Sequence, residues 1–598
     1  MKNWLPTTRK EVELRGWTEL DVILFSGDAY VDHPAFGAAV IGRTLEALGL
    51  KVAIVPQPNW RDDLRDFKKL GKPRLYFAVS AGAMDSMVNK YTANKRLRSE
   101  DAYTPDARPD MRPDYPTLVY SNVLKKLYPD VPVIIGGIEA SLRRLSHYDY
   151  WQDKLMPGIL IPSQADLLVY GAGEKPISDI TSAIQNGAQV SELTSIPQTV
   201  FLQKEVKKEK DDIFLFSYED CLKDKKKHAQ NFKLIEEESN RMKANRLVQK
   251  TGNEYLVVNP PYLPQTTAEL DACYDLPYTR LPHPKYKNKR IPAYEMIRHS
   301  VTLHRGCFGG CAFCTISAHQ GKFIVSRSKA SILREVKAIT QMPDFKGYLS
   351  DLGGPSANMY GMKGINPEIC SFCKKPSCIF PRVCKNLNAD HRPLLDLYKA
   401  VDKVQGVKKS FIGSGVRYDL LVNSYDNSEW NKAAQDYTLE LIKNHVSGRL
   451  KVAPEHTHPE VLNCIRKPDF SNFYQFKKIF DKINKDEYLN QQLIPYFMSS
   501  HPASTEVAMA ELAGISKNLD FHLEQIQDFT PTPMTLSTEI FYTGYHPYTL
   551  QPVFTAKTRE EKLIQRQYFF WYNKEYKQQI IRSLNRLKRA DLIKKLYG

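Results

Sequence analysis

The sequence lacks long hydrophobic runs and has no apolar leader. No stretch approaches the roughly 18 apolar residues of a membrane-spanning helix, and the start, MKNWLPTTRKEVELRGW, has no apolar core of the kind found in signal peptides. Glycine (30) and proline (37) are too few among 598 residues for a fibrous or disordered chain. We therefore expect a cytoplasmic globular protein with no membrane partner, divided into about two to four domains because the chain is too long for one core.

Acidic residues are in deficit. There are 67 acidic residues against 84 lysines and arginines, so the formal net charge is +17. A basic surface attracts polyanions, which makes nucleic acid a candidate partner. Many large basic proteins bind no nucleic acid, so the charge alone leaves both alternatives open.

Cysteine is scarce outside one region. Seven of the ten cysteines fall between Cys307 and Cys384, and the other three are scattered. A disulfide framework is unusual in a large chain that lacks an export signal. The clustered thiols are therefore expected to bind metal.

Residues 1–195 alternate between short apolar strands and helical patterns. The strand candidates are Val22–Phe25 and the stretches KVAIVPQP, RLYFAVSAG, VPVIIGGIEAS and ADLLVYGAGEKPI. This pattern predicts a doubly wound, Rossmann-like or flavodoxin-like domain with a mainly parallel sheet covered on both faces. Any ligand is expected at the carboxyl ends of the strands.

Residues 196–292 are charged and then proline-rich. Between residues 200 and 250 the apolar positions are sparse, which predicts a long solvated helix between domains. NPPYLPQ and LPHPKYKNKRIPAY follow and are expected to be an extended linker that wraps over a surface.

A second alternating pattern occupies residues 293–562. It predicts six β/α units that form a partial TIM-type barrel, with its chemistry on the loops after the strands. The expected strands are Ser300–Leu303, Gly347–Ser350, Ser410–Ile412, Leu450–Val452, Ile494–Phe497 and Ile526–Phe529. Residues 563–598 are expected to be helical and basic.

Cys307, Cys311 and Cys314 stand at C-x3-C-x2-C spacing directly after the first expected barrel strand. A structural zinc site needs four closed ligands, and His304 or His319 is a candidate fourth ligand. A 4Fe–4S cluster held by three cysteines instead leaves one iron open to an external ligand. The spacing and the position at a strand end favour the open cluster over zinc.

This motif, with the aromatic Phe313 before its last cysteine, resembles the signature of the radical S-adenosylmethionine (SAM) superfamily. The resemblance implies that the three cysteines bind three irons, and that the fourth iron takes the amino and carboxylate groups of SAM. It also implies reductive cleavage of SAM to a 5′-deoxyadenosyl radical, with an electron donor such as flavodoxin or ferredoxin.

Other expected strand ends supply candidate SAM contacts. Gly353 and Gly354 lie where the superfamily has a Gly-Gly-Glu motif, although Pro355 replaces the glutamate. Arg417 is expected to pair with the SAM carboxylate, because a guanidinium fork matches a carboxylate. Glu455 is a candidate for the ribose hydroxyls or the amino group, and Ser499, with its neighbour Ser500, is a candidate hydroxyl donor. The alternative for each is a turn or capping role.

A second cysteine set lies in an expected insertion at residues 366–392. Its members share a C-x2-C-x4-C-x5-C pattern and are Cys370, Cys373, Cys378 and Cys384. Four thiolates within fifteen residues close a tetrahedral zinc site or hold a second, fully ligated 4Fe–4S cluster. The basic neighbours Lys374, Lys375, Arg382 and Lys385 offset thiolate charge, and the pattern does not distinguish the two metals.

The whole chain also resembles the YgiQ family of uncharacterised radical SAM proteins. The resemblance is carried by SGDAYVDHPAFG, HYDYWQDK, IRHSVTLHRGCFGGCAFC, DLGGPSANMYG, GVRYDLL, LKVAPEHT and QDFTPTPMTLSTEIFYTG. It supplies no substrate.

In many radical SAM enzymes a cobalamin-binding, flavodoxin-like domain precedes the barrel. The loops with Gly136 and Gly137, and with Gly171, Gly173 and Glu174, resemble loops of that domain. The cobalamin motif Asp-x-His-x-x-Gly is not matched, so His33 is expected to be a local hydrogen-bonding residue. Cobalamin is not expected, although contacts that need no histidine leave it open.

Two alternative functions remain open from the sequence. One is an RNA-methylating or RNA-methylthiolating radical SAM enzyme, suggested by the basic C-terminus and the aromatic run from Tyr568 to Tyr572, which would stack on bases. The other is a non-catalytic scaffold that binds zinc.

Overall fold

The structure is a computed structural model that describes residues 3–523 and 526–598. Strands in the first half form a large sheet and one small hairpin. The strands of this half are β1 (Val22–Ser26), β2 (Val52–Pro56), β3 (Tyr76–Ser80), β4 (Val133–Gly136), β5 (His147–Asp149), β6 (Lys154–Met156), β7 (Leu167–Val169), β8 (Thr199–Gln203), β9 (Ile213–Phe214), β10 (Leu247–Thr251) and β11 (Glu254–Val258).

The large sheet has the strand order β2-β1-β3-β4-β7-β8-β11-β10-β9. Its first five strands are parallel, in the order typical of flavodoxin-like sheets. The strands β8, β11 and β10 then alternate in direction. The parallel part places four strand ends, those of β1, β3, β4 and β7, at one edge.

Successive residues of the parallel strands enter two different cores. In β1, Ile23 and Phe25 pack in one apolar cluster, whereas Val22 and Leu24 pack in the other. Because side chains alternate across a strand, a sheet covered on both faces needs apolar residues at every position. This requirement explains the unbroken runs VILF and VAIV in the sequence.

The segment 200–250 is not one long solvated helix, and that prediction was wrong. It contains two helices, Tyr218–Lys223 and Lys225–Ser239, and strands that extend the sheet past the expected boundary at residue 195. β10 and β11 form a hairpin in which Thr251 pairs with Glu254, leaving Gly252 and Asn253 as a two-residue loop. Gly252 has φ +60°, as such tight loops require. The Thr-Gly-Asn-Glu turn was the signal in the sequence for this hairpin.

Helices connect these strands and cover them. The helices up to residue 300 are α1 (Arg9–Glu13), α2 (Gly37–Ala47), α3 (Arg65–Lys68), α4 (Ser86–Lys90), α5 (Pro116–Leu127), α6 (Gly137–Leu142), α7 (Leu160–Ser163), α8 (Glu174–Gln185), α9 (Tyr218–Lys223), α10 (Lys225–Ser239), α11 (Thr267–Tyr274) and α12 (Pro292–Ile297).

The second half has shorter strands and longer helices. Its strands are β12 (Ser300–Thr302), β13 (His304–Arg305), β14 (Val325–Ser326), β15 (Tyr348–Leu349), β16 (Asp351–Gly353), β17 (Lys409–Ser410), β18 (Arg449–Glu455), β19 (Gln492–Ser499) and β20 (Ile526–Asp528). Its helices are α13 (Ile316–Gln320), α14 (Lys329–Thr340), α15 (Pro367–Ser371), α16 (Arg392–Asp402), α17 (Tyr418–Val422), α18 (Ser428–Glu440), α19 (Pro459–Ile465), α20 (Ser471–Asp486), α21 (Glu506–Asn518), α22 (Leu536–Thr543), α23 (Arg559–Gln567), α24 (Lys574–Arg586) and α25 (Ala590–Tyr597).

Parallel pairing links the principal strands of this half. β16 pairs with β12, and β15, one residue before it, pairs with β17. β18, β19 and β20 form a second parallel set. The amide of Ile412 donates to the carbonyl of His445 at 3.1 Å, which joins the regions that precede and follow α18. The loops that carry the cysteines and Arg417 therefore leave the same ends of two strands that flank β15–β16.

The cysteine-rich insertion is closed at its base. Gly364 and Leu387 form an antiparallel bridge, and the Ile365 amide donates to the Asn386 carbonyl at 2.8 Å. Apart from α15 the insertion has no regular structure before α16. Its shape therefore depends on contacts of its own side chains and on what its cysteines bind.

The C-terminal helices pack on the second half rather than projecting from it. Tyr568, Phe569, Ile580 and Leu584 are fully buried in the same apolar cluster as the β12 and β16 side chains. Within the described residues, no helix is both long enough and apolar enough to cross a lipid bilayer.

Candidate functional site

The three-cysteine loop leaves β13 in a conformation that requires glycine. Gly306 and Gly310 have φ of +83° and +62°. A Cβ on Gly306 would lie 2.3 Å from the Phe323 carbonyl oxygen, and one on Gly310 would lie 2.4 Å from that of Pro376. Both glycines therefore allow backbone approaches that no other residue permits.

The three thiols lie on one loop, but their sulfur atoms are not in close mutual contact. Among the described residues, only Asp402, Glu440 and His445 place three possible ligand atoms within 4.8 Å of one another, so no three cysteine sulfurs do. Burial raises the pKa of the Cys314 thiol to about 12, with Cys311 and Cys307 adding to the shift. Ionising these thiols needs a compensating positive charge, which a bound metal centre supplies.

The two histidines that were candidate fourth ligands make other hydrogen bonds. His304 Nε2 lies 2.9 Å from the Ser356 carbonyl oxygen, and His319 Nδ1 lies 3.1 Å from Ser141 Oγ. Neither belongs to a close ligand group with the cysteines within the described residues. The expected donor set is thus the three thiols, with both histidines engaged in other hydrogen bonds.

Arg417 lies beside the three-cysteine loop, but two of its guanidinium nitrogens already pair with a carboxylate. Nε and Nη2 donate to the two carboxylate oxygens of Asp419 at 2.9 and 2.6 Å. Nη1 donates to Cys311 Sγ at 3.4 Å, and a Cβ on Gly309 would lie 2.8 Å from it. The expectation that Arg417 pairs with a SAM carboxylate stays a prediction, with Nη1 as the donor that faces the thiols.

Glu455 lies in the same neighbourhood and has a lysine partner. Its carboxylate is 3.6 Å from Lys467 Nζ, and burial raises the pKa of Glu455. Lys467 also lowers the pKa of Cys307 and Cys314 electrostatically, so its positive charge favours their ionised form. Lys467 was missed from the sequence, where the basic pair Arg466–Lys467 after a helix resembles an ordinary surface signal.

Gly353 and Gly354 lie at the end of β16, as expected, and both are tightly packed. A Cβ on Gly353 would lie 2.6 Å from Ser414 Oγ, and one on Gly354 would lie 2.7 Å from His304 Nε2. The Gly353 carbonyl accepts from the Leu303 amide at 2.7 Å, so one of its two acceptor positions is already used within the fold. A SAM contact at these glycines stays a prediction.

Ser499 is directed elsewhere. Its hydroxyl donates to Asp528 Oδ1 at 2.7 Å, and Asp528 also pairs with Arg566 at 2.7 Å. The neighbouring Ser500 is buried with φ +62°, and its amide donates to Gln565 Oε1 at 2.8 Å. In this structure Ser499 links β19 to β20, so its role as a SAM donor stays a prediction.

A cavity of about 560 Å³ joins the two halves of the chain. Gly136, Gly137, Gly171 and Gly173 line it from the first half, and Gly353 and Gly354 line it from the second. The strand-end loops picked out in the sequence therefore share one cavity.

An ion pair between the two halves stands in this cavity. Glu174 at the start of α8 pairs with Arg305, whose Nη1 is 2.5 Å from Glu174 Oε1. Arg305 is two residues before Cys307, so the pair ties the cysteine loop to the first half.

His33 makes the local contact that the sequence suggests. The ring is buried, and its Nδ1 accepts a hydrogen bond from the Ala35 amide at 3.1 Å. Burial lowers the pKa of His33 well below its usual value.

The aromatic run at the C-terminus is buried at its start, whereas Tyr572 at its end is 39% exposed. Tyr568 and Phe569 are fully buried, and Arg586 and Arg589 pair with Glu506 and Glu511 at 2.5 and 3.0 Å. The alternative that these aromatics form the core face of a terminal helix fits this arrangement. RNA modification stays a prediction without a feature in this segment to favour it.

A three-cysteine loop after the first strand of a parallel α/β half is the arrangement that suggested the radical SAM class. Residues 4–300 match the family model described as Radical SAM N-terminal. The chain is thus a radical SAM superfamily protein.

Relatives that match nearly the whole length of the chain show which family it belongs to. The chain is 68% identical to a UPF0313 protein of Bacteroides thetaiotaomicron (100% of this chain, 98% of the relative), 46% to one of Methanocella arvoryzae (98% and 96%) and 40% to one of Pseudomonas putida (99% and 84%). The chain belongs to the UPF0313 family, which is the YgiQ family, and the resemblance seen in the sequence is confirmed.

Some solved structures resemble the chain at low sequence identity. They include the radical SAM methyltransferase TsrM from Kitasatospora setae with cobalamin and a [4Fe-4S] cluster bound (TM-score 0.47, 13% identity, 87% of this chain and 77% of that one). The cobalamin-dependent SAM radical enzyme OxsB with aqua-cobalamin bound has a TM-score of 0.47 at 10% identity (89% and 56%).

Proposed function

We propose that this protein is a radical SAM enzyme that holds a 4Fe–4S cluster on Cys307, Cys311 and Cys314. It reductively cleaves S-adenosylmethionine to a 5′-deoxyadenosyl radical, which abstracts hydrogen from a substrate. The observation that carries the proposal is the donor set: three half-buried thiols at C-x3-C-x2-C spacing on one glycine-shaped loop, with the neighbouring His304 and His319 hydrogen-bonded elsewhere. Three thiolates leave one iron open.

Residues around the loop supply the charges that such a site needs. Arg417 Nη1 donates to Cys311 Sγ, and the charge of Lys467 lowers the pKa of Cys307, so both cations favour the thiolate form that binds iron. Asp419 and Glu455 hold these two cations in place. The chain thus positions positive charge at the cluster and leaves the cavity beside Gly353 and Gly354 for SAM.

The fold supports placing the chemistry at this end of the strands. We propose that β12, β15–β16, β17, β18, β19 and β20 form the partial six-stranded barrel expected from the sequence, and that the first half closes its open end. The shared cavity, lined by glycines from both halves, supports this arrangement.

Anaerobic reconstitution tests the proposal. The protein is purified without oxygen, supplied with iron and sulfide, reduced with dithionite and mixed with SAM. A cluster signal in electron paramagnetic resonance that changes on SAM addition is expected, together with release of 5′-deoxyadenosine.

The variants make the test specific. Replacing Cys307, Cys311 and Cys314 with alanine should abolish both the SAM-sensitive signal and the release of 5′-deoxyadenosine. Cys273→Ala, outside both cysteine sets, is the matched control and should keep both. SAM cleavage by the triple variant would show that the site is assigned to the wrong residues.

A further inference from the structure

The insertion brings its four cysteines into one group. Cys370 and Cys378 are each influenced electrostatically by the other cysteines of the set and by the Lys322 ammonium, which also contacts Cys373 Sγ. Asn386 Nδ2 donates to Cys370 Sγ at 3.3 Å. A Cβ on Gly364 would lie 2.3 Å from the same sulfur, so the base of the insertion is shaped around it.

The group is too open for a single zinc ion. Zn–S bonds of about 2.3 Å in a tetrahedron place each pair of sulfurs about 3.8 Å apart. Within residues 3–523 and 526–598, no three cysteine sulfurs all lie within 4.8 Å of one another. A cubane cluster, whose irons stand at separate corners, holds its four thiolates further apart than one ion does.

Lys322 is a buried cation built into this group. Only 2% of the residue is exposed, and Nζ donates to the carbonyls of Lys375 and Cys373 at 2.7 and 3.3 Å and to Cys373 Sγ at 3.6 Å. Among the described residues, no carboxylate forms an ion pair with it. A buried ammonium without a carboxylate is costly unless other negative charge faces it, and four metal-bound thiolates supply that charge.

The insertion also packs directly on the first cysteine loop. The Cys378 amide donates to the Phe308 carbonyl at 3.0 Å, and Ser377 Oγ donates to the Gly309 carbonyl at 2.9 Å. Cys307, Cys378 and Cys384 pack on one apolar cluster around Phe308. The two cysteine sets are therefore neighbours across one layer of side chains.

The outer face of the insertion is apolar and basic. Ile365, Ile369 and Phe372 are 60%, 58% and 62% exposed. Exposed lysines lie on the same insertion, namely Lys363, Lys375, Lys385 and Lys374, the last of which pairs with Glu237 at 3.0 Å. Exposed apolar groups together with basic side chains are typical of a contact surface for an acidic protein.

We propose that Cys370, Cys373, Cys378 and Cys384 bind a second 4Fe–4S cluster, which relays electrons from an acidic donor protein of the flavodoxin or ferredoxin class to the first cluster. Four thiolates ligate every iron, so this cluster binds no substrate and only carries charge. In each step the donor loses one electron, the second cluster is reduced by one electron, and it passes that electron to the first cluster. Binding of the second cluster is independent of the proposed function, whereas the destination of the electron rests on it.

Metal content of the unaltered protein is the first test. After anaerobic reconstitution we expect about eight irons and eight sulfides per chain and no stoichiometric zinc. About four irons with one zinc would overturn the inference and leave the proposed function standing. This measurement needs no variant and so does not depend on how well a variant folds.

Cysteine variants then separate the two sites. Cys370→Ser with Cys373→Ser should lose about half of the iron and keep the SAM-sensitive signal. The triple variant at Cys307, Cys311 and Cys314 should lose the other half of the iron. It should keep an electron paramagnetic resonance signal that does not change when SAM is added. An unchanged iron content in the first variant contradicts the second cluster, whereas an unchanged content in the triple variant contradicts the proposed function.

Lys322→Met tests the charge at the second cluster. Loss of the cation should shift the reduction potential of the SAM-insensitive signal to a more negative value, because the reduced cluster carries more negative charge. The SAM-sensitive signal should keep its potential. Equal shifts of both signals, or of neither, would contradict the placement of Lys322 at the second cluster.

Charge reversal tests whether electrons enter through the outer face of the insertion. With a bacterial flavodoxin as the probe, Lys375→Glu with Lys385→Glu should raise the KM for flavodoxin several-fold and leave the dithionite-driven reaction unchanged. Lys482→Glu with Lys485→Glu, on α20, is the control of equal charge change. An equal rise in KM in the control, or no rise in either variant, would overturn the insertion as the entry point.

Discussion

Some glycines around the site are required because atoms of other residues lie too close to their α-carbons to allow a Cβ. Gly310 and Gly354 leave no room for a Cβ, whereas Gly415, one strand end away, has open space around it. Sequence alone marks all three as turn residues. The difference arises from neighbours brought in by other segments, Pro376 for Gly310 and His304 for Gly354.

Gly354→Ala should impair SAM binding. The added Cβ would lie 2.7 Å from His304 Nε2 and 2.9 Å from its Cδ2, so the ring or the loop has to move. We expect the Kd for SAM, measured by isothermal titration on reconstituted protein, to rise about tenfold, which corresponds to about 1.4 kcal/mol.

Gly415→Ala is the matched control for that substitution. Its Cβ meets nothing within 4 Å, and the Kd for SAM should stay within about twofold of the original value. Equal effects of the two substitutions would place the SAM site away from Gly354.

At the scale of elements, the cysteine loop and the insertion support each other. Ser377 Oγ donates to the Gly309 carbonyl and accepts from the amides of Ile379 and Phe380 at 3.1 and 3.0 Å. Since Ser377 is buried, water does not replace these bonds. The expected insertion is therefore part of the wall around the first site, which its position in the sequence alone did not show.

Ser377→Ala should loosen the first cluster. Loss of the buried hydrogen bonds is expected to cost about 1–2 kcal/mol, and iron release to a chelator, followed through the SAM-sensitive signal, should become several-fold faster. Ser371→Ala removes an exposed bond to the Pro367 carbonyl in the same insertion and should not change that rate. If both variants release iron at the original rate, the insertion does not support the first site.

At the scale of the whole molecule, the two halves are held together by buried polar contacts. Arg305 and Glu174 join the cysteine loop to α8. Arg466 adds a second link with two bonds to Glu236 at 2.7 and 2.8 Å. These pairs cross a long sequence separation, so no local pattern predicts them.

Glu174→Gln should destabilise the assembled chain. It leaves the Arg305 guanidinium in a mostly buried position with only a neutral partner, at an expected cost of about 2 kcal/mol. The urea midpoint of the first unfolding transition should fall accordingly.

The next residue along the chain is the control for that change. Lys175 pairs with Glu269 at 3.4 Å on the surface, and Lys175→Gln should cost less than about 0.5 kcal/mol. Equal losses in both variants would show that the Arg305 pair contributes no more than a surface pair.

Buried histidines should make the fold sensitive to acid. Burial lowers the pKa of His147 and His456 to about 3 and that of His391 and His501 to about 4. Each folded pKa lies below the unfolded value near 6.5, so the folded chain binds fewer protons. Stability is then fully present above pH 6.5 and is lost as the pH falls, by about 1.4 kcal/mol per histidine at pH 5.5.

Urea unfolding of the iron-free protein at pH 7.5 and pH 5.5 measures this effect without a contribution from thiolate ligands. His456→Gln should lose about 1 kcal/mol less than the original protein between the two pH values. His522→Gln, at an exposed position, should lose as much as the original protein. A pH dependence that His456→Gln does not alter would contradict a buried neutral His456.

The sequence by itself determined the elements whose signal is local. Alternating apolar runs predicted the parallel strands, because burial on both faces demands apolar residues at every position. The C-x3-C-x2-C spacing predicted the three-thiol loop, because ligands of one cluster on one turn must be close in sequence. The hairpin of β10 and β11 was missed because charged residues around it hid a two-residue turn.

Only the tertiary structure decided which distant residues meet. Arg417, held by Asp419, contacts Cys311, Lys322 contacts Cys373, and Ser499 turns toward Asp528. It also decided that the second cysteine set lies against the first. These are distances between side chains far apart in the chain, and they follow from how strands and helices pack rather than from any local run of residues.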